Sequence, residues 1–334
     1  MVAGMRLPPL PTIKEILRIY KLRAMKQLSQ NFLLDQNLIW KFVRCAGNLQ
    51  GHHVCEVGPG PGGITRAIIE AGPEKVILVE KDSRFLPALE LLNEVSDGKV
   101  EIYREDVLRF DMTNLFPEYL KRDWLDVPPD IHIIGNLPFN VSTPLITKWL
   151  SQMSKRTGPW RYGRTRLTLT FQEEVAQRLV AQTLGEQRSR LSVMAQHLCE
   201  VEHKFTIPGR AFLPPPDVNV GIVTFTPLKT PLIDLPYALV EKVVRHAFQF
   251  RQKHVKHGLR TLFPPDRIEL THKLYEITNL EPRIRSQQLT IQDFERICKA
   301  YKYICDKEPY LFDYYFRDQE NIKEWKNAPA LGLS

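Results

Sequence analysis

Four consecutive residues, Asn136-Leu137-Pro138-Phe139, combine the parts needed to hold an amine on a planar base. The Asn amide offers one acceptor and two donors. Proline fixes the backbone around it. The Phe ring supplies a flat face on which a base can stack. The tetrad ends an apolar run, Ile131-His132-Ile133-Ile134-Gly135, that reads as a buried strand. It therefore falls at the carboxyl edge of a sheet, where open α/β proteins bind ligands. Taken alone, the same four residues also read as a β-turn followed by core aromatics.

A second constellation lies upstream. Glu56-Val57-Gly58-Pro59-Gly60-Pro61-Gly62-Gly63 directly follows the predicted strand His53–Val57 and precedes a predicted helix, Ile64–Ala71. Glycines there let the backbone approach a ligand closely. Glu80 ends the next predicted strand, 22 residues after Gly58. An acid at that point can accept both hydroxyls of a ribose. Asp106 follows a third strand, in reach of an adenine amine. Together these residues describe an adenosine-bearing cofactor lying across the strand ends.

Gly58, Gly60 and Gly63 also satisfy the dinucleotide fingerprint, so a nicotinamide cofactor is a rival. Pro59 and Pro61 lean against it, because Pro61 has no N–H to offer a pyrophosphate. Glu56 before the turn suits a cation-bearing, phosphate-free ligand such as S-adenosylmethionine. No Tyr-x-x-x-Lys dyad stands in a suitable place for hydride transfer. Zinc deaminases also act on flipped adenines, but the chain lacks their Pro-Cys-x-x-Cys pair.

These residues need a scaffold. Short apolar runs at 76–80, 100–103, 131–134, 167–171 and 220–225 alternate with helical stretches near 85–94 and 174–179. Alternating β and α elements predict an α/β fold with a parallel, doubly wound sheet. Pro227, Pro231 and Pro236 mark a boundary, beyond which residues 238–305 read as helices without strands.

A chain of 334 residues that is 43% hydrophobic can bury one or two full cores. No stretch approaches the apolar length that spans a bilayer. The net charge of +8 favours a polyanionic partner. Residues 151–270 hold 18 Lys and Arg against 10 Asp and Glu, which accounts for the whole excess. Two tracts stand out there. The first, 154–166, interleaves Lys155, Arg156, Arg161, Arg164 and Arg166 with Trp160 and Tyr162. It is predicted to grip phosphates and stack on bases. The second, 242–260, carries Lys242, Arg245, Arg251, Lys253, Lys256 and Arg260 and no acid. His246, His254 and His257 lie within it without an acidic or Cys partner, so a solvated basic face is expected rather than a metal site.

The five cysteines, Cys45, Cys55, Cys199, Cys298 and Cys305, are odd in number and form no CxxC pair. That argues against a disulfide framework and a zinc centre, and for a reducing compartment. The first 27 residues set Arg6, Lys14, Arg18, Lys21, Arg23 and Lys26 against the single acid Glu15. Ile13, Ile16, Leu17, Tyr20 and Ala24 repeat at helical spacing. The segment reads either as an organellar transit peptide or, preferably, as an amphipathic helix packed on the domain.

In order along the chain, Gln30-Asn31-Phe32-Leu33, Glu56 through Gly62, Glu80-Lys81, Asp106-Val107, Asn136-Leu137-Pro138-Phe139 and Phe212-Leu213-Pro214-Pro215-Pro216 resemble the motifs of the ribosomal RNA adenine N6,N6-dimethyltransferases. The resemblance covers about residues 26–228. It implies a class I, Rossmann-like methyltransferase: a seven-stranded doubly wound sheet with one antiparallel strand and a smaller C-terminal helical domain. The implied layout is a basic segment at 1–27, the methyltransferase domain at 28–228, a helical RNA-binding domain at 229–320 and a polar tail at 321–334.

The implied donor is S-adenosylmethionine. The implied target is a pair of adjacent adenosines in the hairpin loop near the 3′ end of small-subunit rRNA. By motif, Gln30, Asn31 and Leu33 would close over the cofactor, with Glu56, Gly58 and Gly60 at its methionine end. Glu80 would take the ribose, Lys81 would lie beside the adenine, Asp106 would bond the adenine amine and Val107 would pack near it. Asn136 would serve cofactor and target together. Its oxygen and the Leu137 carbonyl would accept the target amine, Pro138 would fix their placement, and Phe139 and Phe212 would sandwich the base. Ser29 and Val220-Gly221 depart from residues common in the family.

The tract 131–142 and the basic N-terminus resemble the family's mitochondrial members. That implies a location in the mitochondrial matrix, 12S rRNA in the nascent small subunit as partner, and a monomer. The alternative is a non-catalytic nucleic-acid-binding accessory factor, on the same scaffold, for the mitochondrial transcription machinery.

Overall fold

The computed structural model describes residues 7–22, 30–250 and 252–316. Arg6, Arg23, Ala24, Lys26, Ser29, Arg251 and the 321–334 tail lie outside them. The chain divides into two compact units. The first comprises residues 1–180 and 198–229, the second 181–197 and 230–334.

The first unit is built on a seven-stranded sheet. Its strands are β1 (His53–Val57), β2 (Lys75–Val79), β3 (Val100–Tyr103), β4 (Ile131–Gly135), β5 (Arg166–Gln172), β6 (Cys199–Ile207) and β7 (Val220–Pro227). They lie in the order β3-β2-β1-β4-β5-β7-β6. All neighbours are parallel except β7, which runs antiparallel to both β5 and β6. The expected doubly wound sheet with one antiparallel strand is therefore present. β1 and β4 are buried along their whole length, as strands covered on both faces must be.

Strand order reverses direction between β1 and β4, which opens a crevice at their carboxyl ends. Helices α2 (Gln36–Arg44), α3 (Gly63–Glu70), α4 (Leu86–Val95), α5 (Phe139–Ser154) and α6 (Glu173–Val180) belong to this unit. α2 begins at Asp35, whose carboxylate accepts from the Leu38 N–H. The short helix α1 (Ile13–Ile19) opens with a reciprocal Thr12–Glu15 capping box and buries Ile13, Ile16 and Leu17. Ile13 and Leu17 join the same core as α2, α3 and β1.

β6 and α5 are absent from the elements read residue by residue in the sequence. β6 alternates exposed Glu200, Glu202 and Lys204 with more buried positions, the pattern of an edge strand. α5 starts at Phe139 itself, immediately after Pro138 at its cap.

The second unit holds α7 (Arg190–Gln196), α8 (Tyr237–Ala247), α9 (Val255–Leu259), α10 (Ile268–Thr278), α11 (Ile291–Lys307) and α12 (Tyr310–Asp313). Residues 181–197, expected in the methyltransferase domain, fold here instead. The Leu184 N–H donates to the Gln287 carbonyl at 2.9 Å, and the Leu232 N–H to the His197 carbonyl at 2.8 Å. Among the described residues no helix is long and apolar enough to cross a membrane.

Candidate active site

The Gly-rich turn leaves β1 and enters α3 through three left-handed glycines, Gly58, Gly60 and Gly62. Gly58 is fixed by both conformation and space. Its φ is +68°, and a Cβ there would stand 3.0 Å from Leu137 Cδ2. A second close approach lies beside it: at Gly135 a Cβ would fall 2.5 Å from Val57 Cγ2. Two glycines thus let the ends of β1 and β4 close together, which brings Asn136 and Leu137 beside the turn.

The turn's own N–H groups are engaged within the protein. Gly58 donates to Val79 O at 2.9 Å, Gly60 to Glu80 Oε2 at 2.9 Å and Gly62 to Pro59 O at 3.1 Å. With Pro59 and Pro61 lacking a donor altogether, this turn is poorly equipped to cradle a pyrophosphate. A phosphate-free adenosine ligand is the better match.

Two neighbouring cavities follow the strand ends. The first is lined by residues that include Asn31, Leu33, Gly58, Gly60, Glu80, Asn136, Phe139 and Phe212. The second is lined by residues that include Lys81, Asp106, Val107, Asn140 and Val141. Gln30, Gly58, Glu80, Leu137 and Pro138 line both. Glu80 is nine-tenths buried or more, and burial pushes its carboxyl above the usual range. Its oxygens accept from the Gly60 and Asp82 N–H groups. That places the carboxylate where ribose hydroxyls can reach its remaining lone pairs.

Asp106 is held below the usual carboxylate range, first by its hydrogen bond from Lys81 Nζ at 2.9 Å. Its second oxygen accepts from the Leu108 N–H at 3.0 Å. Gln30 donates to Asp82 at 3.0 Å, tying the segment before Phe32 to the turn after β2. Asp82 and the cavity-lining Phe85 belong to no motif legible in the sequence, and Phe85 meets Phe32 edge-on at 5.5 Å.

Glu56 lies elsewhere than expected. It is 1% exposed, lies outside the cavity lining, and accepts from Thr65 Oγ1 at 2.6 Å. Burial pushes its pKa up to about 8, so near neutrality it is largely a neutral carboxylic acid. It braces the first turn of α3 against β1 rather than facing a cation.

Asn136 lines the first of these cavities. Its Nδ2 donates to Asn31 O at 3.3 Å, and its Oδ1 accepts from Thr170 Oγ1 at 3.0 Å. Among the described residues, no group donates to the Leu137 carbonyl. Phe139 is half-buried at the rim, and Phe212 is buried opposite Leu33 in a two-stranded pairing of Phe32–Leu33 with Phe212–Leu213.

The 154–166 tract departs furthest from the loop its composition predicts. Trp160 and Tyr162 are each 1% exposed, so neither offers a ring to a base. Trp160 packs edge-on against Trp149 and donates to Thr165 O, and Tyr162 donates to Phe116 O. Arg164 is buried and donates to the carbonyls of Trp124, Pro227 and Asp126. Arg161 pairs with Glu118 at 3.1 Å. Lys155 and Arg156 are exposed, with Arg156 over the Trp124 ring at 4.9 Å.

In the second unit Lys253, Lys256 and Arg260 are exposed as expected of a basic face. Lys242 is not part of it: its buried ammonium donates to the carbonyls of Leu311, Phe312 and Tyr314. His246 is buried against Thr261. Among the described residues no three His, Cys, Asp or Glu converge to hold a metal.

The family model for ribosomal RNA adenine dimethylase matches residues 21–302. Mitochondrial dimethyladenosine transferase 1 of Xenopus tropicalis is 55% identical over 325 residues, 97% of this chain and 94% of that protein. The Homo sapiens protein of the same name is 56% identical over 323 residues, 96% of this chain and 93% of that protein. The fold is shared with a crystal structure of a dimethyladenosine transferase from Plasmodium falciparum, at TM-score 0.62 and 21% identity over 85% of this chain and all of that one. A 23S rRNA methyltransferase, ErmE, aligns at TM-score 0.56 and 22% identity over 81% of this chain and all of that one. The chain therefore belongs to the ribosomal RNA adenine dimethylase family, as a methyltransferase of its mitochondrial branch.

Proposed function

We propose that this enzyme transfers methyl groups from S-adenosylmethionine to the N6 amines of two adjacent adenosines in the 3′-terminal hairpin loop of mitochondrial small-subunit 12S rRNA, acting on the nascent subunit. One observation carries the reading most directly. Gly58, Glu80, Asn136, Phe139 and Phe212 line a single cavity, so cofactor-binding and base-holding groups share one space. The relatives' names supply the substrate class.

S-adenosylmethionine, when bound, supplies an electrophilic methyl group. The protein's task is to hold it and to present the amine. Glu80 and Asp106 hold the ribose and adenine ends, and Gly58 and Gly60 leave room for the methionine end. The target amine is conjugated with its ring and is a poor nucleophile. In the first transfer Asn136 Oδ1 and the Leu137 carbonyl accept its two N–H bonds, which turns the lone pair out of the ring plane; in the second they hold the one N–H that remains, and after each transfer the positively charged nitrogen releases one proton to solvent. Positioning is the main contribution. Phe139 stacks on the flipped base, a contact that contributes about 1–3 kcal/mol. The buried Phe212 supports the other side of the pocket. A base must leave its stack to enter. Lys253 and Lys256, with Arg251 beyond the described residues and Lys155 and Arg156 on the first unit, contact the RNA backbone.

Calorimetry on the purified protein tests the cofactor directly. S-adenosylmethionine is expected to bind, NAD is not, and Asp106→Ala is expected to weaken the former. NAD binding without S-adenosylmethionine binding would overturn the reading.

A further inference from the structure

We propose that Thr170 is a positioning residue for methyl transfer, setting the orientation of the Asn136 amide through a hydrogen bond across the sheet. The inference rests on the role assigned above to Asn136. β5 places Leu167, Leu169 and Phe171 on one face and Thr168 and Thr170 on the other. The β4–β5 register, Gly135 opposite Leu169, then sets Thr170 beside Asn136 just past the end of β4.

Thr170 is 2% exposed, so its hydroxyl needs a partner inside the protein. That partner is Asn136 Oδ1 at 3.0 Å. Valine would suit the packing and the strand equally well, so packing alone does not account for a hydroxyl here. The direction of the bond is also determined. Asn31 O can only accept, so it draws Nδ2 of Asn136 toward itself, at 3.3 Å. Oδ1 must then face Thr170, and Thr170 must donate.

The consequence is chemical. An Asn amide turns about a broad torsion with little preference of its own. With Thr170 in place the amide is held at both ends, and one Oδ1 lone pair remains for the target N–H. Without it, one long bond to a backbone carbonyl is left, and the amide can swing away from the position that accepts the amine. Ground-state binding of cofactor and RNA uses many other contacts and is little affected.

The test compares Thr170→Val, Thr170→Ala, Thr170→Ser and Asn136→Ala in the full chain. Turnover is measured on a small-subunit hairpin RNA, and S-adenosylmethionine affinity by calorimetry. Thr170→Val and Thr170→Ala are expected to lower kcat about tenfold, the effect of weakening one orienting bond. KM for RNA and cofactor affinity should stay near wild type, and Thr170→Ser should recover most of the rate. Unchanged kcat in Thr170→Val, or a loss that Thr170→Ser does not recover, would overturn the inference while Asn136→Ala remains inactive. Full activity in Asn136→Ala would instead overturn the underlying role of Asn136.

Discussion

The carboxyl edge of the sheet and the 154–166 segment are both dense in polar and aromatic side chains, yet they direct them in opposite ways. At the edge, Glu80, Asp106 and Asn136 each make bonds that fix their orientation and still present an acceptor to the cavity. In 154–166, Arg164 directs its guanidinium at three backbone carbonyls, and the Trp160 indole N–H and the Tyr162 hydroxyl each donate to one. A side chain that is both oriented and incompletely satisfied can bind; one satisfied within the chain can only hold the chain together. The difference lies in the carbonyls nearby. The segment passes irregular backbone at 113–126 whose carbonyls at Phe116, Trp124 and Asp126 take donors from Tyr162 and Arg164, while Arg164 also reaches Pro227 and Trp160 bonds Thr165 within its own segment.

Substitutions at the two regions should therefore separate function from stability. The largest effect is expected at the edge. Asn136→Ala removes the acceptor for the target amine and should lower methyl transfer about 100-fold or more, within the range for losing one preorganised group. Thermal unfolding should change little. A similar fall in melting temperature would mean that Asn136 is a structural residue like Arg164.

Arg164→Ala should behave in the reverse manner. It leaves three carbonyls without their donor and is expected to cost about 2–4 kcal/mol of stability, read by urea denaturation. RNA affinity measured below the unfolding transition should be unchanged. A clear loss of affinity with intact stability would return 154–166 to the RNA surface.

Glu56 sharpens the comparison within the edge itself, since it sits one residue before the turn's Val57 and yet is fully enclosed. Its folded pKa, about 8, lies above the ordinary value of 4.5, because burial disfavours the charged form. The folded state therefore keeps a proton that the unfolded chain releases. Stability should fall as pH rises from about 4.5 to about 8 and level off above, by linkage. Glu56→Gln should flatten that slope in a pH series of urea melts. An identical slope in both proteins would show that Glu56 is ionised in the fold.

The smallest effect is expected at the exposed lysines of the second unit. Lys256→Ala should weaken RNA binding modestly and reduce the slope of log affinity against log salt by about 1, as one lost phosphate contact does. A slope equal to wild type would remove Lys256 from the RNA surface.

The two regions also differ in how far sequence alone reveals them. The strands that lead into Gly58, Glu80, Asp106 and Asn136 are short runs rich in β-branched residues and bounded by turns, so their placement follows from pattern and from the rule that ligands gather at the carboxyl edge. The 154–166 tract has the composition of an RNA-binding loop. Nothing local distinguishes a guanidinium aimed at phosphate from one aimed at a carbonyl 40 residues away. β6 is hidden in the sequence for a related reason, since the charges at Glu200, Glu202 and Lys204 mask an edge strand. Thr170 is legible only after the register of β4 and β5 is known, because its partner lies 34 residues away. The return of 181–197 to the second unit likewise depends on backbone bonds to Gln287 and Leu232 that no local pattern announces.

The central claim, that this cavity presents an adenine N6 amine to a methyl donor, is tested most directly by the product. The full chain would be incubated with S-adenosylmethionine and a small-subunit hairpin RNA, and the digested nucleosides identified by mass spectrometry. The account predicts N6,N6-dimethyladenosine at the two adjacent loop adenosines. Methyl groups on a ring nitrogen or a ribose, or no transfer by a protein that binds S-adenosylmethionine and the RNA, would contradict it.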